Sequence, residues 1–174
     1  MHRLRTLFLS SLVAVSASTL SAQAKLNDLE MAHVAVTADA LDIDYAQLVL
    51  RHTKNPTVRT FAETMIRDHT AVSGQVVALA KRLNVQAQDN ALSRQLVTNS
   101  APIKAQLRTL RGAALDNFYA ANELGYHKAV NMLVANDFIP NIQNAEVRTA
   151  FEGALVIFRG HEHHAEMMIA ALKK

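Results

Sequence analysis

Cysteine and tryptophan are both missing from this chain, and the first absence closes off much chemistry. Without thiols there is no disulfide framework, no dithiol redox centre and no thiolate metal ligand, so the fold must be held by its packed core. Only three prolines and five glycines punctuate the 174 residues, while half of all residues are hydrophobic, chiefly Ala, Leu and Val. That balance favours helices. No Gly-rich phosphate loop, nucleophile elbow or Ser/His/Asp arrangement is present, which removes the common signatures of nucleotide binding and acyl transfer.

A long apolar run is also lacking, with one informative exception at the start. Arg3 and Arg5 precede an apolar stretch from Leu7 to Leu20, interrupted only by Ser and Thr, and Ala22-Gln23-Ala24 has the small-x-small form of a cleavage site. This is the pattern of a secretory signal peptide over residues 1–24, too short and too rich in Ser to span a bilayer. With no Cys after it, lipidation is excluded. Cleavage after Ala24 leaves Lys25 to Lys174, 150 residues and one expected domain, in the periplasm or secreted, with no integral membrane segment. Loss of Arg3 and Arg5 reduces the 18 basic residues to 16 against 15 acidic ones, a net charge of +1. No basic field remains to argue for nucleic acid or anionic lipid.

The mature chain reads as four long helices. The first is expected from about Asp28 to Thr53, capped by Asn27 or Asp28, with Leu29, Ala32, Val36, Ile43, Ala46 and Leu50 on its apolar face. Asn55-Pro56 ends it and opens a second, to about Leu83, because proline suits the first position of a helix and not its interior. A third runs from about Gly112 to Phe138, closed by Ile139-Pro140-Asn141, and a fourth from about Asn144 to Leu172. Between the second and third, residues 84–111 are rich in Gln, Asn and Ser, contain Pro102, and read as a long connection with a short helical piece at 91–97. Two helical hairpins joined by one long crossover define the ferritin-like class of all-α four-helix bundle.

Histidines interrupt the apolar seams of these helices. Val147, Phe151, Ala154, Phe158, His161, Ala165, Met168 and Leu172 alternate at spacings of four and three; Val58, Ala62, Met65, His69, Val72, Val76, Leu79 and Leu83 do the same. On the third helix Asp116, Ala120, Glu123, His127, Val130 and Val134 share a stripe, with Glu123 and His127 four apart and able to face one ion. Asp39 lies on the seam of the first helix and Asp42 beside it. All lie within about one turn of their helix centres, so helices of similar length bring them to one level. Imidazole plus carboxylate suits a divalent transition metal. Asp39, Asp42, His69, Glu123, His127 and His161 are therefore the candidate metal residues, with Asp39 and Asp42 as alternatives. The competing reading is a buried polar layer whose imidazoles and carboxylates satisfy each other.

Other residues weigh less. The only Glu-x-x-His pair is Glu30 to His33, away from the central level, so a standard di-iron oxidase site is disfavoured. Met65 and Met168 leave copper or silver open, although Met31, Met65, Met132, Met167 and Met168 read chiefly as core. Tyr45, Tyr119 and Tyr126 could donate to the polar layer. His163 and His164 flank the seam, and His33 and His52 read as surface or helix-end residues.

The segment Phe61-Ala62-Glu63-Thr64-Met65-Ile66-Arg67-Asp68-His69-Thr70 resembles domain of unknown function family 4142, whose pattern is Phe-Ala-x-x-Met-[Val/Ile]-x-Asp-His-[Thr/Ser]. The stretch from Tyr119 to His127 and the late His161-x-x-x-Ala165 are similar to later parts of the family pattern, and Asp42 matches its acidic residue in the first helix. The first helix carries Asp where the family often has Glu, and a Leu-Pro expected before the final His is not evident. The resemblance implies an exported bacterial protein with a ferritin-like helical fold, and no established activity. On residues and resemblance together, the chain is expected to bind a metal ion in storage, buffering or envelope stress protection, without a catalytic site. The alternative is a non-enzymatic envelope protein whose histidines are structural.

Overall fold

Four of the five helices begin on an asparagine. In the computed structural model, which describes residues 25–174, the helices are α1 (Asp28–Leu50), α2 (Pro56–Arg82), α3 (Ala91–Thr109), α4 (Gly112–Leu133) and α5 (Ala145–Leu172), with no strand among the described residues. Asn27, Asn55, Asn90 and Asn144 each accept from two backbone N–H groups of the first turn, supplying partners those donors would otherwise lack. Asn27 forms a capping box with Glu30, whose carboxylate accepts from the Asn27 N–H at 2.9 Å. That settles the function of the lone Glu-x-x-His pair: its glutamate caps a helix. At the other end of α2, Asn84 takes a left-handed φ of 54°, and Val85 N–H bonds Ala80 O at 3.0 Å in a Schellman turn.

The long connection expected between the second and third helices is itself a helix. Asn90 and Ser93 start α3, which continues through Pro102 to Thr109 rather than stopping near residue 97. The expectation fails because the polar composition of α3 reflects a helix that packs along one side only, against α1. Lys104 reaches Asp44 at 2.6 Å, and Asn90 donates to Glu30 O at 3.0 Å. Both sets of numbers rise together, so α3 runs parallel to α1. The contact pairs Asp39–Ser73 with Asp42–His69, Ala38–Tyr126 with Thr53–Asp116, Asp68–His161 with Arg82–Glu146, and Asn131–Phe158 with Lys128–Glu166 show the opposite trend. Hence α1 is antiparallel to α2 and α4, and α5 is antiparallel to the same two helices. At 1.5 Å per residue α3 spans about 28 Å, enough to return the chain along α1 so that α4 can start beside the end of α1.

This coverage explains a second departure. The buried residues of α1 are Met31, Val34, Ala38, Asp39, Leu41, Asp42, Tyr45, Ala46, Leu48 and Val49, and not the single face through Leu29, Ala32, Val36 and Ile43. A helix packed by α2 and α4 on the inside and α3 on the outside has no fully solvated side. Both Asp39 and Asp42 therefore become buried. The seams of α2 and α5 are buried as expected at their centres. Met31, Met65 and Met168 fill the core, whereas Met132 and Met167 are exposed, at 64% and 48%.

The last turn expected of the third helix is present but widened. Val134–Phe138 is π-helical, and Ile139 N–H bonds Val134 O, five residues back, at 3.0 Å. No described helix is long and apolar enough to cross a membrane. The expected signal peptide lies outside the described residues.

The core is split into two apolar clusters. One contains Leu41, Tyr45, Val58, Phe61, Met65, Leu107, Leu115, Tyr119 and Met168; the other contains Met31, Val34, Val134, Phe138, Ile142, Phe151 and Leu155. Beside the first, Thr53 Oγ1 donates to Asp116 Oδ1 at 2.6 Å and accepts from Asn55 N at 3.1 Å. This bond satisfies a carboxylate only 6% exposed. We expect Thr53→Val to cost about 2 kcal/mol by leaving Asp116 short of a donor, lowering the melting temperature by roughly 4–8 °C in a scanning calorimeter.

Candidate metal centre

Between the two apolar clusters lie Asp39, Asp42, His69, Glu123, His127 and His161, none more than 3% exposed. Four helices supply them. The seams found in the sequence do bring the three imidazoles together: ring centroids are 5.6 Å apart for His69–His127, 5.2 Å for His69–His161 and 5.3 Å for His127–His161. Phe158 stacks on His69 at 4.7 Å and 13°, fixing its plane.

Each ring is held by one nitrogen. His69 Nδ1 lies 2.7 Å from Asp39 Oδ1, and the other oxygen of Asp39 accepts from Ser73 Oγ at 2.7 Å. His127 Nδ1 lies 3.0 Å from Glu123 O. A backbone carbonyl can only accept, so that nitrogen carries the hydrogen. His161 Nε2 is 3.0 Å from Asp68 Oδ2, and Arg67 grips Asp68 through Nε and Nη2 at 2.7 and 3.2 Å. The remaining nitrogens, His69 Nε2, His127 Nε2 and His161 Nδ1, are buried and have no hydrogen-bond partner. The three rings offer ligand atoms all within 4.8 Å of one another, a little more than two metal–nitrogen bonds of about 2.1 Å laid end to end.

The carboxylates divide their work. Asp42, Glu123 and His127 form a second group of ligand atoms within the same distance, so Glu123 and His127 face one position as their spacing suggested. Asp42 Oδ2 stands 3.4 Å from His69 Nε2 and 3.6 Å from His127 Nε2. Asp39 belongs to neither group and instead orients His69. The choice between the two aspartates thus resolves into two roles, with Asp42 facing the centre and Asp39 behind the ring. His163 and His164 are exposed and stay outside. Met65 and Met168 belong to an apolar cluster. Tyr126 donates to Ala38 O at 2.9 Å rather than to a carboxylate, and Tyr119 Oη has no partner.

Asp68 and Ser73 escaped the seam count. Both lie off the apolar stripe of α2, and neither was legible as a partner. For Asp68 a signal existed in its place immediately before His69: adjacent residues on a helix point about 100° apart, so one can enter the core while the other reaches the neighbouring α5.

Burial governs the electrostatics. It pushes Asp42 up to about 6, with the charge of Asp39 adding and that of His69 opposing. Burial, then the Asp42 charge, raises Glu123 well above the usual carboxylate range. Burial pulls His127 down to about 3, helped by the His69 charge. Burial also lowers His161, against the pull of Asp68. At His69 burial is outweighed by Asp42 and Asp39, and the ring is held above its ordinary 6.5. The cluster therefore favours the charged imidazole at His69, between two aspartates, and the neutral imidazole at His127 and His161. Neutral imidazoles and carboxylates are the forms that bind metals.

Together these features define an all-helical protein with a buried His/carboxylate group able to hold a metal ion. The family profile of the domain of unknown function DUF4142 matches residues 13–168, and the chain belongs to that family. No match is found among curated proteins or among solved structures.

The opposite shifts of His127 and Asp42 give a pH test. As pH falls below about 6.5 the unfolded chain protonates His127 and the native state does not, so stability drops until about pH 3. Asp42 works the other way between about 6 and 3.8, where only the native state takes up the proton. Comparing wild type with His127→Gln isolates the first effect. We expect the wild-type advantage in urea unfolding to shrink by up to about 1.4 kcal/mol per pH unit from 6.5 down to 4. A difference that does not vary with pH would mean that His127 titrates normally.

Proposed function

We propose that this protein is an exported, ferritin-like helical-bundle protein, in the periplasm or secreted, that binds one divalent transition metal. The metal would be held for storage, buffering or protection of the envelope against stress. The up-down-down-up order of α1, α2, α4 and α5, with α3 making the long crossover, supports the ferritin-like reading. The metal reading is carried by one observation: three buried imidazoles converge with the inward nitrogen of each lacking a partner, while every outward nitrogen is anchored. Ligands whose far nitrogen is bonded to a carboxylate or carbonyl are the usual arrangement at protein-bound metals, because the second bond fixes the tautomer and the ring orientation.

His69, His127 and His161 would supply the nitrogens, with Asp42 and Glu123 the oxygens nearest them. Three imidazoles without thiolate suit zinc, iron, copper or nickel. A mutually satisfied polar layer would leave few free polar atoms, yet both Asp42 oxygens and Glu123 Oε2 find no N–H or O–H donor. The oxidase reading loses further ground because Glu30 is engaged in a cap.

Elemental analysis of the protein purified from the exported fraction is the direct test. We expect about one transition-metal ion per chain, lost in His69→Ala and His161→Ala while helical circular dichroism persists. Asp68→Asn, which removes the carboxylate behind His161 together with its ion pair to Arg67, should weaken metal affinity about 10–100-fold. A protein without stoichiometric metal, and with a melting temperature indifferent to added zinc, iron and copper, would refute the proposal. Because Asp42, Glu123 and His69 all hold protons more tightly than usual, binding must displace protons. Affinity measured by titration calorimetry should therefore fall as pH is lowered from 7.5 to 5.5, and the apparent heat should vary with the buffer's ionisation enthalpy.

A further inference from the structure

A cavity of about 150 Å³ adjoins the histidine cluster on the side of the π-helical turn. Val34, Val130, Leu133, Phe138, Phe151 and Ala154 contribute to its walls, and Asp39, His69 and His127 close the end next to the metal centre. Its surface is almost wholly apolar. Asp39 is engaged by His69 and Ser73, the Tyr126 hydroxyl by Ala38 O and His127 Nδ1 by Glu123 O. The unpartnered His69 Nε2 and His127 Nε2 lie toward Asp42, and almost no polar surface faces the space. A water held inside needs two to four polar partners, and an apolar space of this volume instead accepts benzene or xenon.

The void is built by the fold rather than left by a single small residue. Val134 and Phe138 both line it and both belong to the widened turn. That turn carries an extra residue relative to an α-helix, which sets Phe138 against Phe151 edge-on at 6.0 Å at the far end of the space. At the near end Phe158 stacks on His69. Two aromatic walls and branched aliphatic sides leave a compartment suited to a compact, uncharged molecule.

We infer that this cavity is a binding site for a small apolar molecule of about six to eight heavy atoms, the size class of a single aromatic ring. The ligand would rest beside the histidine cluster without coordinating through it, so the inference stands whether or not a metal binds.

Benzene is the probe, added to the chain as purified. We expect a rise in melting temperature of about 3 °C at tenfold excess over Kd. Methyl resonances of Val34, Val130 and Leu133 should shift, and those of Ile66 and Ile169, in the other half of the core, should remain still. Ala154→Leu should weaken the benzene response at least tenfold by filling the space; Ala35→Leu, which adds bulk from α1, serves the same purpose if that variant fails to fold. No thermal shift with unmoved methyls in the wild-type protein would overturn the inference. So would a response centred on Ile66 and Ile169, or one undiminished in a folded cavity-filling variant.

Discussion

An imidazole has two nitrogens, and in the centre of this protein only one of them is spoken for on each ring. That constraint organises what surrounds it. Asp39, the Glu123 carbonyl and Asp68 come from α1, α4 and α2, and each fixes a ring from outside the cluster. Three inward nitrogens and two buried carboxyls then crowd a space that solvent does not reach. Such a group is short of positive charge, and the shifts follow: burial raises Glu123 well above the usual carboxylate range and Asp42 to about 6, and at His69 the two aspartates outweigh burial and hold the ring above its ordinary value. A proton answers this deficit, and a metal ion held as proposed would compete with it for the same atoms.

The fold makes this polar layer tolerable by placing it between two apolar clusters. α1, α5 and α4 with its π-helical continuation each pass from one cluster through the layer to the other. Leu115 and Tyr119 of α4 lie below Glu123 and His127, with Val134 and Phe138 of the π-helical turn above. On α5 the order is reversed, from Phe151 through His161 to Met168. Hydrophobic burial on both sides supplies the stability that the unsatisfied layer cannot. Contacts such as Asn131 Nδ2 donating to Glu162 Oε2 at 2.8 Å and to Phe158 O at 3.3 Å hold the α4–α5 register one turn from the rings.

Much of this was legible in the sequence, for a physical reason: a histidine at an interior position of a three-four apolar repeat has nowhere to go but the core. His69, His127 and His161 could be placed that way, and Glu123 followed from its spacing to His127. The aspartates could not be separated, because the seam count assumed that α1 has one inward face. It has inner and outer packed sides, and the helix responsible was hidden. The α3 sequence carries Pro102 and a run of Asn, Gln and Ser, so it reads as a connection; packing against a single neighbour demands only a narrow apolar stripe, through Leu96, Ile103 and Leu107. Asp68 was invisible for the complementary reason. It lies off the seam, only partly buried, and its value depends on which helix stands next to it, which no single-helix pattern records.

The distribution of the unsatisfied atoms bears on why such a layer exists at all. A purely structural layer would be expected to close its hydrogen bonds, since a buried polar group left open costs about 1–3 kcal/mol and an apolar replacement is often no worse for stability. Here bonds are closed on the outside of every ring and left open on the inside, at His69 Nε2, His127 Nε2, His161 Nδ1, Asp42 and Glu123 Oε2. Six of the nine unpartnered buried side-chain atoms among the described residues belong to these five residues; the other three are His33 Nδ1, Tyr119 Oη and Asn131 Oδ1. Asp42 Oδ2 stands 3.4 Å from His69 Nε2 and 3.6 Å from His127 Nε2, and the residues behind the rings restrain them from turning away. A local sacrifice of stability at one interior layer is what a ligand site would require and a scaffold would not, and the anchored rings would make such a site rigid.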